Sequence, residues 1–283
     1  MLTTKTKIAL AGLAYRTIAA SRRVVGKGKQ AVVRRGGVRW CLDLEEGIDF
    51  SIYLLGAFEK STAATLRKLV NPGDTVLDIG ANIGAHTLGL AKSVGSAGKV
   101  YAFEPADFAF QKLLRNLALN PELERRTQAS QVMLGSGADK PLAGVYASWP
   151  LETVDSVHPK HRGRFVSTQG ANADTLDGFV EREKIARINL IKMDVDGNEL
   201  PVLQGGRGML SKHRPIIVME MSPYVHAEEQ HSFAEMIELL RELEYKIEDA
   251  ANRKSLPLDA TALERLIPDG AGINVVAIPG SGS

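Results

Sequence analysis

The chain has 283 residues, 44% of them hydrophobic, 24% charged and only 6% aromatic, with a formal charge of +2 at pH 7. That composition is ordinary for a globular protein and excludes a disordered, collagenous or low-complexity one. A single cysteine, Cys41, excludes an internal disulfide and a cysteine-based metal site, and no apolar run reaches the roughly 18–20 residues that span a bilayer.

The charge is unevenly spread. Residues 1–42 hold ten Lys and Arg and no Asp or Glu, which leaves 25 basic against 33 acidic residues in the remainder. Two readings follow. Either the arm packs its helix on an acidic body, or it makes peripheral contact with an anionic membrane or glycan carrier. Ile8, Ala11, Tyr15 and Ile18 recur at helical spacing, so an amphipathic surface helix is expected. Arg16, Arg22 and Arg23 sit where a secretory leader would place its apolar core and cleavage site, so the expected location is cytoplasmic, at most peripheral to the inner face of the membrane. Aromatic and basic residues do not interleave as in RNA-binding sheets, and nucleic acid is not an expected partner.

After the arm and a short strand or hairpin at 36–44, a single domain is expected over 46–283. Residues 58–70 read as an amphipathic helix closed by the turn Asn71-Pro72-Gly73-Asp74. Strand patterns follow at 75–79, 99–103, 128–134, 188–193, 216–221, 245–249 and 272–278. Helical patterns at 87–94, 108–120 and 233–243 fall between them. This alternation is the mark of a mostly parallel sheet with helices on both faces. Residues 138–173 hold three prolines and little periodicity, and read as a long loop or insertion.

The first strand ends in Asp78-Ile-Gly80-Ala81-Asn82-Ile-Gly84. The dinucleotide fingerprint G-x-G-x-x-G would need glycine where Asn82 and Ala85 stand, and a carboxylate at 78 would repel a pyrophosphate, so NAD-linked oxidoreduction is disfavoured. No Gly-Lys-Ser/Thr follows, so there is no P-loop. The turn suits a ligand with a positive amino-acid end. Glu104, at the end of the next strand, suits the two hydroxyls of a ribose. Together the two acids fit S-adenosylmethionine better than NAD.

These segments, with Ile191-Lys192-Met-Asp194-Val-Asp196-Gly197-Asn-Glu199, resemble the FkbM family of S-adenosylmethionine-dependent methyltransferases across roughly residues 38–222. Leu42-Asp43-Leu44, Gly56-Ala-Phe-Glu59, Thr175-Leu-Asp177, Val202-Leu-Gln-Gly205 and Arg214-Pro215 with Glu220 support the likeness. The resemblance implies the Rossmann-like class I methyltransferase fold, a seven-stranded sheet with its last strand antiparallel. It also implies O-methylation of a sugar or secondary-metabolite hydroxyl. The chain departs from the family pattern at Asp196, where Glu is usual, and at Met133-Leu-Gly-Ser136-Gly, where an alanine and an acid near the adenine are usual.

The expected cofactor site is Asp78, Gly80, Ala81, Asn82, Gly84, Glu104, Ser136 and Glu59. On the acceptor side, Asp194, Asp196 and Glu199 crowd a strand end, with Lys192, Glu220 and His226 nearby. Crowding raises carboxylate pKa values and suits a general base, for which Asp194 is the first choice. The same oxygens of Asp194, Asp196 and Glu220 suit a hard cation such as Mg²⁺, the weaker alternative. Asn198 and Glu199 equally read as caps of the following helix. His86, at a helix start where the dipole favours the neutral imidazole, is the second catalytic candidate. His158 and His161 could bind metal by spacing alone, and His231 could line the acceptor pocket. The expected partner is a small-molecule or glycan acceptor, with oligomeric state open. The rival reading is a binding or scaffold module that keeps the fold without catalysis.

Overall fold

The computed structural model describes residues 4–137, 143–147, 151 and 163–280. Helix α1 (Thr4–Val24) leads into the hairpin β1 (Gln30–Arg35) and β2 (Val38–Asp43), then helices α2 (Gly47–Leu55) and α3 (Lys60–Leu69). Strand and helix alternate next: β3 (Thr75–Ile79), α4 (Thr87–Ser93), β4 (Lys99–Phe103), α5 (Asp107–Ala118), the single turn α6 (Pro121–Glu124) and β5 (Thr127–Ser130). Four short strands follow, β6 (Val132–Leu134), β7 (Gly144–Ala147), β8 (Arg164–Ser167) and β9 (Asn172–Asp174), and then α7 (Leu176–Arg182) and β10 (Leu190–Met193). The chain continues through α8 (Glu199–Gln204), α9 (Arg207–His213), β11 (Ile216–Met221), α10 (Pro223–Glu228) and α11 (Phe233–Glu242). It closes with β12 (Tyr245–Asp249), β13 (Ser255–Leu256), α12 (Ala260–Leu266) and β14 (Ile273–Pro279).

The main sheet runs β13-β12-β14-β11-β10-β3-β4-β5. Strands β11, β10, β3, β4 and β5 run parallel to one another, and β14 is antiparallel to both β11 and β12. The seven expected strands are therefore present, and the two-residue β13 is added at one edge. The inner strands are buried on both faces, which is why they read as apolar runs rather than as alternating patterns. Along β3, Leu77 and Ile79 pack toward α7, α8 and α11, whereas Val76 packs toward α3, α4, α5 and the hairpin. Asp78 is thereby placed on the hairpin side of the sheet.

Three local features differ from the sequence reading. The expected strand 128–134 breaks at Gln131: β5 stays beside β4, while β6 pairs in parallel with β9 outside the main sheet. Gln131 holds this break, its amide donating to the carbonyls of Gln169 and Pro105 and its own carbonyl accepting from Asn172. The hairpin begins earlier than expected and turns at Gly36-Gly37, with φ of +58° and +82°, values at which a side chain is strained. Its inner residues Val38, Trp40 and Leu42 are buried in the same core as β3 and β4, and Cys41 N–H donates to Asn116 on α5. Helix α1 docks through Tyr15, which is 3% exposed and meets Phe50 of α2 edge-on at 5.8 Å. No helix among the described residues is long and apolar enough to cross a membrane. His158 and His161 lie outside the described residues.

Candidate functional site

The chain leaves β3 toward β4 and β5 on one side, and β10 and β11 lie on the other, so the order reverses between β3 and β10. In open α/β sheets ligands bind outside the carboxyl ends of the strands at such a point. The two halves of this site are built differently.

On the β3–β4 side the backbone dictates the geometry. Gly80 has φ +74°, and a Cβ there would stand 1.8 Å from the carbonyl oxygen of Asp194, so only glycine lets the turn pass β10. The N–H groups of Gly80 and Ala81 donate to the Phe103 carbonyl at 3.0 and 2.9 Å. Asn82 adopts φ +49°, with its side-chain oxygen accepting from Ile83 N–H. Gly84, at φ +89°, leaves room for Leu88 and Leu113. Glu104 is 4% exposed and accepts from Asn82 N–H at 2.7 Å and Ala106 N–H at 2.9 Å, one bond to each oxygen. Burial still pushes its carboxyl up to about 7, against the downward pull of those two bonds.

Asp78 and Lys192 are register partners on neighbouring strands. Asp78 is fully buried, accepts from the Thr87 hydroxyl at 2.6 Å and lies 3.4 Å from Lys192 Nζ. Lys192 also donates to the Gly80 carbonyl at 2.8 Å, and its Nζ lies 3.9 Å from Asp194. Burial works against the ammonium, but Asp78, then Asp194 and Glu59, outweigh it and hold the lysine above its ordinary value. Both residues sit deeper than the sequence reading placed them. Lys192 lies beneath the glycine turn rather than in the acceptor wall. Asp78 holds the turn from below instead of projecting from it, because the pleat sends both residues to the buried face.

On the β10–β11 side the carboxylates face one another. One oxygen from each of Asp194, Asp196 and Glu220 lies within 4.8 Å of the other two. Glu220 is pushed well above the ordinary carboxylate range by desolvation and then by the charge of Asp194. Asp196, although exposed at the surface, is raised in the same direction by burial of its carboxyl and by its acidic neighbours Asp194 and Glu199. Asp196 itself sits at φ +47°, a conformation that costs about 1–3 kcal/mol and tends to occur at functional sites. Gly272, at the start of β14, makes room here, since a Cβ would stand 2.2 Å from Glu220 and 2.1 Å from Ser222.

Glu199 and His226, expected in the acceptor wall, lie behind it at 3% and 1% exposure. Glu199 accepts from Val195 N–H at 3.2 Å, and its other oxygen lies 3.2 Å from His226 Nε2. Burial pushes Glu199 up to about 7 and His226 down to about 4, and the Val195 bond lets Glu199 hold the 194–198 loop. Asn198 stands at the start of α8 but turns its amide onto the Val195 carbonyl. His231 donates its N–H to the His226 carbonyl.

His86 caps α4 at 5% exposure beside Phe58, with Nε2 3.9 Å from Glu59 and neither ring nitrogen hydrogen-bonded. Burial, then the charge of Lys192, pushes it down to about 3. The neutral form was expected, and burial is its main cause. So low a proton affinity makes His86 a poor acceptor of an alcohol proton. Glu59 opens α3 at φ +40° and faces this ring. Ser136 is exposed after β6, on the small sheet. Two residues were missed. Thr87 anchors Asp78, and its position one turn past Gly84 was a readable signal. Tyr224 follows β11 and is pushed up to about 12, by burial and then by Glu220; no sequence pattern marked it.

A glycine turn and a buried acid at adjoining strand ends, next to a carboxylate cluster at the switch point, define a ligand-binding α/β fold. The chain belongs to the FkbM methyltransferase family: the sequence model described as "Methyltransferase FkbM domain" matches residues 78–247, from the acid of the turn into β12. The family resemblance read from the motifs therefore holds, and methyl transfer is the family's activity. A hexuronic acid methyltransferase, AglP, of Haloferax volcanii is 26% identical over 163 residues, covering 56% of this chain and 61% of that one. Methyltransferase 1 of Beauveria bassiana is 30% identical over 151 residues, 47% and 59% of the two chains. The chain thus spans about three fifths of the length of these relatives. Among solved structures, a methyltransferase FkbM from Methylobacillus flagellatus aligns at TM-score 0.44 and 15% identity, covering 78% of this chain and 56% of that one. An S-adenosylmethionine-dependent O-methyltransferase from Thermotoga maritima aligns at 0.44 and 16%, covering 93% and 82%.

Proposed function

We propose that the protein transfers a methyl group from S-adenosylmethionine to a hydroxyl of a sugar or secondary-metabolite acceptor. One observation carries this reading: Glu104, buried and raised to about 7, accepts from Asn82 N–H in the glycine turn, and its charge is felt by Asp196 of the carboxylate cluster. A carboxyl desolvated to that degree gains most from new donors, and each of its oxygens has a lone pair beyond the one given to a backbone N–H. Two ribose hydroxyls would supply those donors. Gly80, whose missing side chain lets the turn pack against the Asp194 carbonyl, brings the two halves of the cleft together around that ligand. When bound, S-adenosylmethionine supplies a methyl group already activated on a sulfonium.

What remains for the protein is to align the acceptor oxygen and take its proton. Asp194 is partly exposed at the cleft, with its carboxyl 3.9 Å from the Lys192 ammonium and beside Asp196 and Glu220, which favour the protonated form. It is the proposed base. Removing the proton as the bond forms makes the alcohol a stronger nucleophile, and the neighbouring carboxyls can pass the proton to solvent. Mg²⁺ held by the same three oxygens is the alternative. Chelation separates the two, since activity indifferent to EDTA is expected for the carboxylate base. Hexuronic acid is the acceptor named for AglP, so uronic acids and their glycosides are the first acceptors to assay.

Calorimetric titration with S-adenosylhomocysteine and with NAD is the decisive measurement. Binding of the former alone is expected, and binding of NAD alone would sink the proposal. Transfer of label from S-adenosylmethionine to an acceptor hydroxyl, located by mass spectrometry, separates the enzyme from the scaffold reading.

A further inference from the structure

Ten basic residues precede the first acid in the chain, and the fold neutralises only some of them. Arg22 is spent on the Gly28 and Gln30 carbonyls, Arg35 on the Tyr53 carbonyl, and Lys29 on Asp43 and Glu45. Arg23, Arg34 and Arg39 are exposed, and their side chains make no hydrogen bond or ion pair among the described residues. Arg34 and Arg39 are also register partners across β1 and β2 on the outer face of the hairpin. Like charges set opposite in a sheet are destabilising, so the fold tolerates this pair without using it.

The same segment exposes aliphatic side chains. Val24 is 87% exposed and Val25 65%, at the end of α1, and Val32 is 61% exposed on the arginine face of the hairpin. The bonds from Arg22 to Gly28 and Gln30 tie the end of α1 to the start of β1, so these side chains belong to one stretch of surface. On its other side α1 is docked by Tyr15 against Phe50, which gives the surface a fixed base.

We infer that this face, from Arg23 through the β1–β2 hairpin, docks on the surface of an anionic lipid bilayer. Cations alone would suit any polyanion. Exposed valines interleaved with them gain free energy only where the partner also offers an apolar layer below its charge. A bilayer does so, and a soluble glycan or nucleic acid does not. The contact leaves the Gly80 turn and the carboxylate cluster untouched, so it is independent of the reaction proposed above.

Flotation of the full chain with vesicles tests this. Binding is expected to phosphatidylcholine vesicles containing phosphatidylglycerol, to be absent with phosphatidylcholine alone, and to weaken as salt shortens the electrostatic reach to about 8 Å. Arg34→Gln with Arg39→Gln should lower the bound fraction about tenfold or more. Val24→Ser with Val25→Ser should lower it severalfold, with both variants retaining their affinity for S-adenosylhomocysteine as proof of folding. Loss in the arginine variant alone, with the serine variant unchanged, would show a contact of charge alone, which any polyanion could make, and overturn the docking proposed here. Equal flotation with neutral vesicles, or none with either, would overturn it as well.

Discussion

The two halves of the cleft use the same side-chain chemistry to opposite ends. On the β3–β4 side each carboxylate has its own partners: Asp78 accepts from Thr87 and pairs with the Lys192 ammonium at 3.4 Å, and Glu104 accepts from the N–H groups of Asn82 and Ala106. On the β10–β11 side Asp194, Asp196 and Glu220 chiefly face one another. Carboxylates held by donors keep a shape, whereas carboxylates held against each other keep an appetite for protons or cations. A rigid half suits binding and an unsatisfied half suits chemistry, which is the division a transferase needs.

The sharpest way to break this comparison is Asp194→Asn. Turnover should fall about 10²–10⁴-fold, as expected for loss of a positioned base, while affinity for S-adenosylhomocysteine stays within about twofold. Near-normal single-turnover rates would remove Asp194 from the reaction. Asp78→Ala tests the other half: it removes the nearer carboxylate from the buried Lys192 ammonium and leaves Asp194 at 3.9 Å, so urea denaturation should show up to about 3–5 kcal/mol lost. A loss below about 1 kcal/mol would mean that the pair does not hold the turn. Glu104→Ala comes next. It removes a charge-assisted acceptor worth about 1.5–3 kcal/mol, which calorimetry should read as roughly 10- to 150-fold weaker binding of S-adenosylhomocysteine.

The smallest effect belongs to the pair behind the wall. Glu199 has a folded pKa of about 7 against an ordinary 4.5, so the folded state favours its protonated form. Its contribution to stability is therefore fully present below about pH 4.5 and is lost as pH rises through about 7. Glu199→Gln stays neutral, can still accept from Val195 and can donate to His226. It should be more stable than wild type by about 2 kcal/mol at pH 8, and the gain should vanish near pH 4.5. A melting-temperature difference independent of pH would show that Glu199 is not held neutral. His226 opposes this below its own range: its folded value of about 4 means stability is lost as pH falls below about 6.5.

Short-range chemistry made much of the molecule legible without its coordinates. The strands at 75–79, 99–103 and 216–221 were readable because buried parallel strands are continuous apolar runs bounded by turns. The glycine turn and Glu104 were readable because backbone room and a terminal acid are local properties of a few residues. Ser232 with Glu235 marks the start of α11 by the same local logic, the hydroxyl accepting the Glu235 N–H.

Which way those residues act was decided only by contacts distant in sequence. Asp78 and Lys192 are 114 residues apart, and only the register of β3 on β10 turns two expected ligand contacts into the support beneath the turn. The break at Gln131 depends on reaching Gln169, 38 residues on, an exchange that no hydrophobic period records. His86 looked like a base from its place at a helix start, and the packing that desolvates it leaves it a poor one. Sequence by itself determined the family, the strand order's raw material and the acids of the cleft, because pattern and backbone conformation are encoded locally. Tertiary structure decided which acids are pinned and which are left facing one another, because solvation and charge pairing depend on neighbours that the chain brings together only on folding.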